Sequence, residues 1–224
     1  MRIAIVLAGG KGTRLNSEIP KQYMDVNGKP VIAYCLDTIQ ESKCFDRIVV
    51  VCEQAYKEMI AELANALPLS FSEPGENRQL SIINALEDLS ADKIADDSIV
   101  MIHDAARPLL PGKLIEECLN KMEGHDGVLP VIPMKDTVYE LSGDGKVTSL
   151  LEREKIYAGQ APEFFAFSKY LKACRNLSHE KLLQIHGSTE PAILAKLDIV
   201  TVPGEEDNFK ITTQADLNRF RGMV

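Results

Sequence analysis

The sequence has no uninterrupted apolar run of the ~18 residues that a membrane-spanning helix needs, so no membrane association is expected. It has no surplus of positive charge either: 25 Lys and Arg stand against 33 Asp and Glu, a net charge of −8. Dedicated nucleic-acid binders carry a basic footprint, so nucleic acid is not an expected partner, although a local basic pocket for a small anion is compatible with this balance. The five cysteines (Cys35, Cys44, Cys52, Cys118 and Cys174) are odd in number and form no CxxC pair. They read as reduced, buried thiols of a cytoplasmic protein rather than as a disulfide framework, and no local pattern supports a catalytic thiol. His125, His179 and His186 show no metal-ligand spacing, and no Ser-His-Asp or Cys-His constellation is evident. There is no internal repeat, low-complexity tract or long linker. The apolar N-terminal stretch meets Gly9-Gly10 after a few residues, which marks a strand entering a loop, not a signal peptide.

What is present is an alternation of two periods. Continuous apolar runs at Ile3–Leu7, Arg47–Cys52, Ser98–His103 and Gly127–Ile132, with a shorter one at Leu69–Ser72, predict strands buried on both faces. Between them, Val31–Gln40, Ala55–Leu67, Gln79–Leu89 and Pro111–Met122 carry helical spacing. Strands alternating with helices predict βαβ crossovers and a mostly parallel sheet flanked by helices. Further helices are expected at Phe167–Asn176 and Thr213–Arg221, and a further strand at Ile199–Val202. The segment Asp136–Leu150 departs from this rhythm. Two alternating stretches flank Ser142-Gly143-Asp144-Gly145, which predicts a protruding β-hairpin arm, either packed on a second subunit or lying as a surface flap. The economical reading is one α/β domain over residues 1–224 with an arm at about 136–150.

The strongest local signal is Leu7-Ala8-Gly9-Gly10-Lys11-Gly12-Thr13-Arg14-Leu15, followed by Pro20-Lys21-Gln22. A loop after the first strand of a parallel sheet lies at the carboxyl edge, where ligands bind. Glycines bring backbone N–H groups close to phosphate oxygens, and Lys11, Arg14 and Lys21 add cations, so the segment suits a triphosphate cradle rather than a merely structural turn. It is not a dinucleotide fingerprint read from Gly10, because position 15 is Leu, and it is not a P-loop, because Gly12 follows Lys11.

Together with His103-Asp104-Ala105-Ala106-Arg107-Pro108, this pattern resembles the sugar-phosphate type of nucleotidyltransferase. The resemblance is to the branch containing 2-C-methyl-D-erythritol 4-phosphate and D-ribitol-5-phosphate cytidylyltransferases, and it runs from Ile3 to Leu217. It implies a Rossmann-like nucleotidyltransferase fold, CTP and a small polyol phosphate as substrates, Mg²⁺ as cofactor, and a homodimer formed through the arm. A phosphate oxygen would attack the α-phosphorus of CTP and expel pyrophosphate, chemistry that relies on positioning and fixed charge more than on a covalent nucleophile. By the same resemblance, Arg14 and Lys21 would stabilise the transition state. Leu7, Ala8, Gly9, Gly10, Lys11 and Gly12 would hold the phosphates, and Gly75, Glu76, Asn77, Arg78 and Ser81 would read the base and ribose. Asp104 would hold Mg²⁺ or contact the nucleotide, with a structural cap as the plainer alternative. Arg107 would pair with Asp104 or meet substrate, while Thr137, Arg153, Ser188 and Lys210 would serve the acceptor phosphate. His103 is expected to end its strand as a hydrogen-bonded core residue.

Two segments depart from the family pattern. Gln160-Ala161-Pro162-Glu163 stands where the family usually shows Gln-Thr-Pro-Gln, which removes a hydroxyl and adds a negative charge on the acceptor side. In Ser188-Thr189-Glu190-Pro191-Ala192, Pro191 is expected to alter the backbone. The intact HDAARP loop favours methylerythritol phosphate as acceptor. Ribitol 5-phosphate of surface-polysaccharide synthesis is the close alternative, and a non-catalytic CTP-binding module on the same fold is the rival of a different class.

Overall fold

The structure is a computed structural model and describes residues 1–10 and 19–224. The expectations for Lys11, Gly12 and Arg14 therefore lie outside the described residues. The first half builds the parallel part of the sheet from β1 (Arg2–Leu7), β4 (Arg47–Val51), β5 (Leu69–Ser72) and β6 (Ile99–Asp104). A small ribbon, β2 (Asp25–Val26) with β3 (Lys29–Pro30), precedes α1 (Val31–Ser42). The crossovers are made by α1, α2 (Lys57–Leu63) and α3 (Arg78–Ala91). The second half supplies α4 (Gly112–Lys121), β7 (Gly127–Pro133), the hairpin β8 (Tyr139–Leu141) and β9 (Val147–Leu150), then β10 (Tyr157–Gly159) and β11 (Glu163–Ala166). It closes with α5 (Phe167–Arg175), α6 (His179–Leu183), α7 (Glu190–Leu194), β12 (Ile199–Pro203) and α8 (Gln214–Arg221).

The main sheet runs β10-β7-β11-β6-β1-β4-β5, with β12 also pairing β7. Strands β6, β1, β4 and β5 are mutually parallel. The strand β11 enters antiparallel between β6 and β7. The five apolar runs in the sequence all form strands, and the four helical stretches between them all form helices. The reason lies in the core. Ala4, Val6, Ile48 and Val50 pack on one face with Ile32, Leu36 and Ile115. Ile3, Ile5, Val49 and Val51 pack on the other with Ile82, Leu86 and Tyr170. Both faces are covered, so neither needs polar residues, and the sequence reads as unbroken apolar runs.

The sequence pattern does not mark strand β11, nor β10, which pairs with the other edge of β7. Glu163-Phe164-Phe165-Ala166 is too short and too mixed to stand out, and its place is set by cross-strand pairing with β6 and β7. Pro191, expected to disturb the backbone, instead lies in the first turn of α7, where a missing N–H costs no helical bond.

A third cluster joins Val26 and Val31 to Ile211, Leu217 and Phe220. It ties the C-terminal helix to the region just after the glycine-rich loop. The Ile211 N–H donates to the Ala106 carbonyl at 2.8 Å, which brings Lys210 alongside the end of β6. The start of α8 is fixed by a reciprocal capping box between Thr213 and Asp216.

Cys35, Cys52, Cys118 and Cys174 are buried and Cys44 is half-buried. Burial pushes the thiol of Cys52 up to about 11 and those of Cys35, Cys118 and Cys174 up to about 12. Thiolate is the reactive form. A thiol reagent at pH 8 should therefore label Cys44 in the native protein and the other four only after denaturation, as counted by mass spectrometry.

Candidate active site

The ends of β1 and β6, the turn Lys21–Tyr23 and the start of α3 enclose a cavity of about 460 Å³. Its lining includes Leu7, Gly9, Gly10, Lys21, Gly75, Glu76, Asn77, Arg78, Ser81, Asp104 and Lys210. The sequence had assigned each of these to nucleotide, catalysis or acceptor, and folding brings them to one place. Ala8 is buried just behind.

The backbone around this cavity is held by a small number of side chains. The Gln22 amide donates to the carbonyls of Ala8 (2.6 Å) and Gly10 (2.8 Å), and the Tyr23 hydroxyl donates to Ala8 at 2.9 Å. Tyr23 itself stacks on Tyr56 with ring centroids 3.7 Å apart. Gln22 was quoted in the sequence motif without a role. Only the fold shows that it holds the carbonyls of Ala8 and Gly10. Two glycines are needed for close approach: a Cβ at Gly9 would meet Pro74 at 2.6 Å, and one at Gly75 would meet the Leu80 Cβ at 2.5 Å.

At the start of α3, Asn77 is the N-cap, its side-chain oxygen accepting from the Leu80 N–H at 2.8 Å. Its amide donates to the Leu182 carbonyl at 3.0 Å. The Ser81 hydroxyl accepts from the Gly75 N–H and donates to the Asn77 carbonyl, both at 2.9 Å. Ser81 therefore shapes the loop in addition to facing the cavity. With backbone N–H groups exposed at a helix start, this corner suits polar or anionic ligand atoms.

The floor is a charge cluster centred on Asp104. Arg78 Nε donates to its Oδ1 at 2.9 Å, Lys210 Nζ to its Oδ2 at 2.9 Å, and Arg107 Nε lies 3.7 Å from Oδ2. Burial alone would raise the Asp104 pKa, but the three cations outweigh it and hold the carboxyl well below the usual range. Arg78 is lowered by burial and raised more strongly by Asp104 and Glu163, so it stays charged. Neighbouring His103 is fully buried, its Nε2 donating to the Arg107 carbonyl at 3.0 Å. Burial lowers its pKa to about 4 and keeps it neutral, in line with the core role expected for it.

Three expected substrate contacts are placed elsewhere, and Arg107 takes the first of the two roles expected for it, beside Asp104. Arg107 does not line the cavity. It is turned inward, where its Nη1 donates to the Asn208 carbonyl at 2.7 Å. Ser188 is buried, and its hydroxyl accepts from Arg78 Nη1 at 2.7 Å, so it backs Arg78. Thr137 and Arg153 are exposed at the foot of the hairpin, away from the lining, and Arg153 Nη1 donates to the Lys135 carbonyl at 3.0 Å. Within one chain the arm does not reach the cavity. Glu163, expected to add charge beside the acceptor, is buried behind Arg78 instead.

Among the described residues, no group of three or more His, Cys, Asp or Glu side chains gathers as a metal cage. Among the described residues Asp104 is the one buried carboxylate on the cavity wall, and Mg²⁺ is usually held by one or two carboxylates together with substrate phosphates.

A mostly parallel sheet with a glycine-rich loop, an anion-binding helix start and lysines at its carboxyl edge defines a nucleotidyltransferase. Comparison with known proteins narrows the class. A family model described as "IspD: 2-C-methyl-D-erythritol 4-phosphate cytidylyltransferase" matches residues 2–223, and the chain belongs to that family. It is 37% identical to the bifunctional enzyme IspD/IspF of Granulibacter bethesdensis over 98% of its own length, spanning 55% of that longer protein. It is 28% identical to the ribitol-5-phosphate cytidylyltransferase of Streptococcus agalactiae, covering 100% of this chain and 95% of that one. The crystal structure of 2-C-methyl-D-erythritol 4-phosphate cytidylyltransferase from Francisella tularensis superposes with a TM-score of 0.81 over 100% of this chain and 99% of that one. At 24% identity, that likeness speaks for the fold.

Replacing Asp104 by Asn should leave three cations crowded without their counter-charge and lower stability by about 3 kcal/mol, measured by urea unfolding at pH 7. The Asp104 carboxyl is depressed on folding, so its contribution is present above its unfolded pKa and lost as pH falls towards the folded value. The gap between wild type and Asp104→Asn should be flat from pH 8 to 5 and narrow only below about pH 4.

Proposed function

We propose that this protein transfers a cytidylyl group from CTP to 2-C-methyl-D-erythritol 4-phosphate and releases pyrophosphate. The observation that carries the reading is the joint placement of Lys21 and Lys210 on one cavity with the glycine-rich loop and the Arg78–Asp104 pair. Two anions repel, and fixed cations at their meeting point lower that barrier without reorganising. The glycine-rich loop and the start of α3 hold CTP. Lys21, with Arg14 by resemblance, neutralises charge developing on the α-phosphoryl oxygens. The acceptor phosphate is its own nucleophile, because a monoester is largely ionised near neutral pH, so no general base is needed.

The Asp104 carboxylate would hold Mg²⁺ arriving with the triphosphate, and the ion would supply neutralising charge there. The arm bears exposed Tyr139, Leu141, Val147 and Leu150, an apolar strip suited to burial against a second copy. Pairing in a homodimer would let Thr137 and Arg153 serve an acceptor phosphate. We place the protein in the cytoplasm because its five thiols are unpaired. No described helix is long and apolar enough to cross a membrane. Ribitol 5-phosphate is the second acceptor reading, supported by the likeness to the streptococcal ribitol enzyme over nearly its whole length.

With CTP and Mg²⁺, pyrophosphate release should be fastest with methylerythritol phosphate in a panel that includes ribitol, ribulose and glycerol phosphates. Faster turnover of ribitol 5-phosphate would reassign the acceptor, and CTP binding without product from any acceptor would make the chain a binding module. Lys21→Ala should cost ~10²–10³ in kcat with the fold retained. A near wild-type rate would remove Lys21 from the chemistry.

A further inference from the structure

Arg78 is flanked by a second carboxylate that the reaction above does not use. Glu163 on β11 lies opposite Ile102 on β6, in an antiparallel pair. Directly opposed residues point to the same side of a sheet, and so do residues two apart on one strand. Glu163 and Asp104 therefore project from neighbouring strands onto the one face that α3 covers, and Arg78 is the first residue of α3. Glu163 Oε1 accepts from the Thr189 hydroxyl at 3.0 Å, while Oε2 lies 3.7 Å from Arg78 Nη2. Asp104 holds Arg78 Nε, and Ser188 accepts from Nη1. The guanidinium is thus hydrogen-bonded at two of its nitrogens, has the Glu163 carboxylate 3.7 Å from the third, and lines the cavity.

We propose that Glu163 is a positioning residue. Acting through Arg78, it fixes the angle at which that guanidinium faces the bound nucleoside triphosphate and thereby raises affinity for it. The inference rests on the reading of the cavity as a CTP site. It is unlike a plain electrostatic effect, and the sign separates the two. Burial raises the Glu163 pKa, while Arg78 and the Thr189 hydroxyl favour its charged form; that form repels a polyanion, so neutralising it should tighten CTP binding if charge alone mattered. If the carboxylate instead orients Arg78, neutralising it weakens binding, because a flat fork loses more from misalignment than a point charge does.

The experiment is calorimetric titration of CTP with Mg²⁺ into wild type, Glu163→Gln, Arg78→Ala and the double variant, each checked for folding by circular dichroism. Glu163→Gln should raise the Kd for CTP about fivefold when Arg78 is present, and by less than about twofold in the Arg78→Ala background, because contacting residues couple. An unchanged or lowered Kd would overturn the proposal, and so would equal weakening in both backgrounds, which is what a packing defect gives. Should Glu163→Gln fail to fold, Thr189→Val, which removes only the donor to Oε1, is judged by the same signs. A wild type that binds CTP but makes no product would remove the transferase reading and leave this inference standing. A wild type that does not bind CTP would overturn both.

Discussion

The arrangement depends on one buried carboxylate and the three cations around it. Asp104 ends β6 and is met by Arg78 from α3, Lys210 from the segment before α8, and Arg107 from its own loop. Lys210 is 106 residues from Asp104 in the chain. Each alone would be costly to bury, and Asp104 compensates all three. The same contacts that make burial tolerable also hold cationic side chains at the rim of the sheet. Stability and a preorganised anion site therefore rest on one set of interactions.

Around this cluster the protein uses neutral groups to hold the backbone. Gln22 and Tyr23 bind the carbonyls of the glycine-rich loop, and Ser81 and Asn77 close the turn before α3. Under the proposed function, substrate charge would be met by groups already held in place, which is the economical way to stabilise a transition state rich in negative charge.

The two departures from the family pattern have a common structural outcome. Glu163 does not enter the cavity, because its strand register places it beneath Arg78, and Pro191 opens a short helix whose preceding residue, Thr189, donates to Glu163. What reads in sequence as two unrelated irregularities on the acceptor side is one buried contact behind the nucleotide side. The hairpin is the opposite case: its apolar residues Tyr139, Leu141, Val147 and Leu150 are exposed, and none of the described residues buries them.

By itself the sequence determined most of the local structure. Short unbroken apolar runs bounded by turn signals read as strands covered on both faces, and helical spacing between them makes the crossovers. Glycines after the first strand, with Lys11, Arg14 and Lys21 following, state the chemistry to expect at that edge of the sheet. Tertiary structure alone decided which distant charges meet. No spacing rule links Arg78, Asp104, Glu163, Ser188 and Lys210, because their proximity follows from sheet order and strand register. For the same reason the sequence left Arg107 between Asp104 and substrate, where the structure shows the pairing with Asp104, and assigned Ser188 to substrate although it points inward. A side chain's type states what it can bind, and only the packing around it states which partner it has.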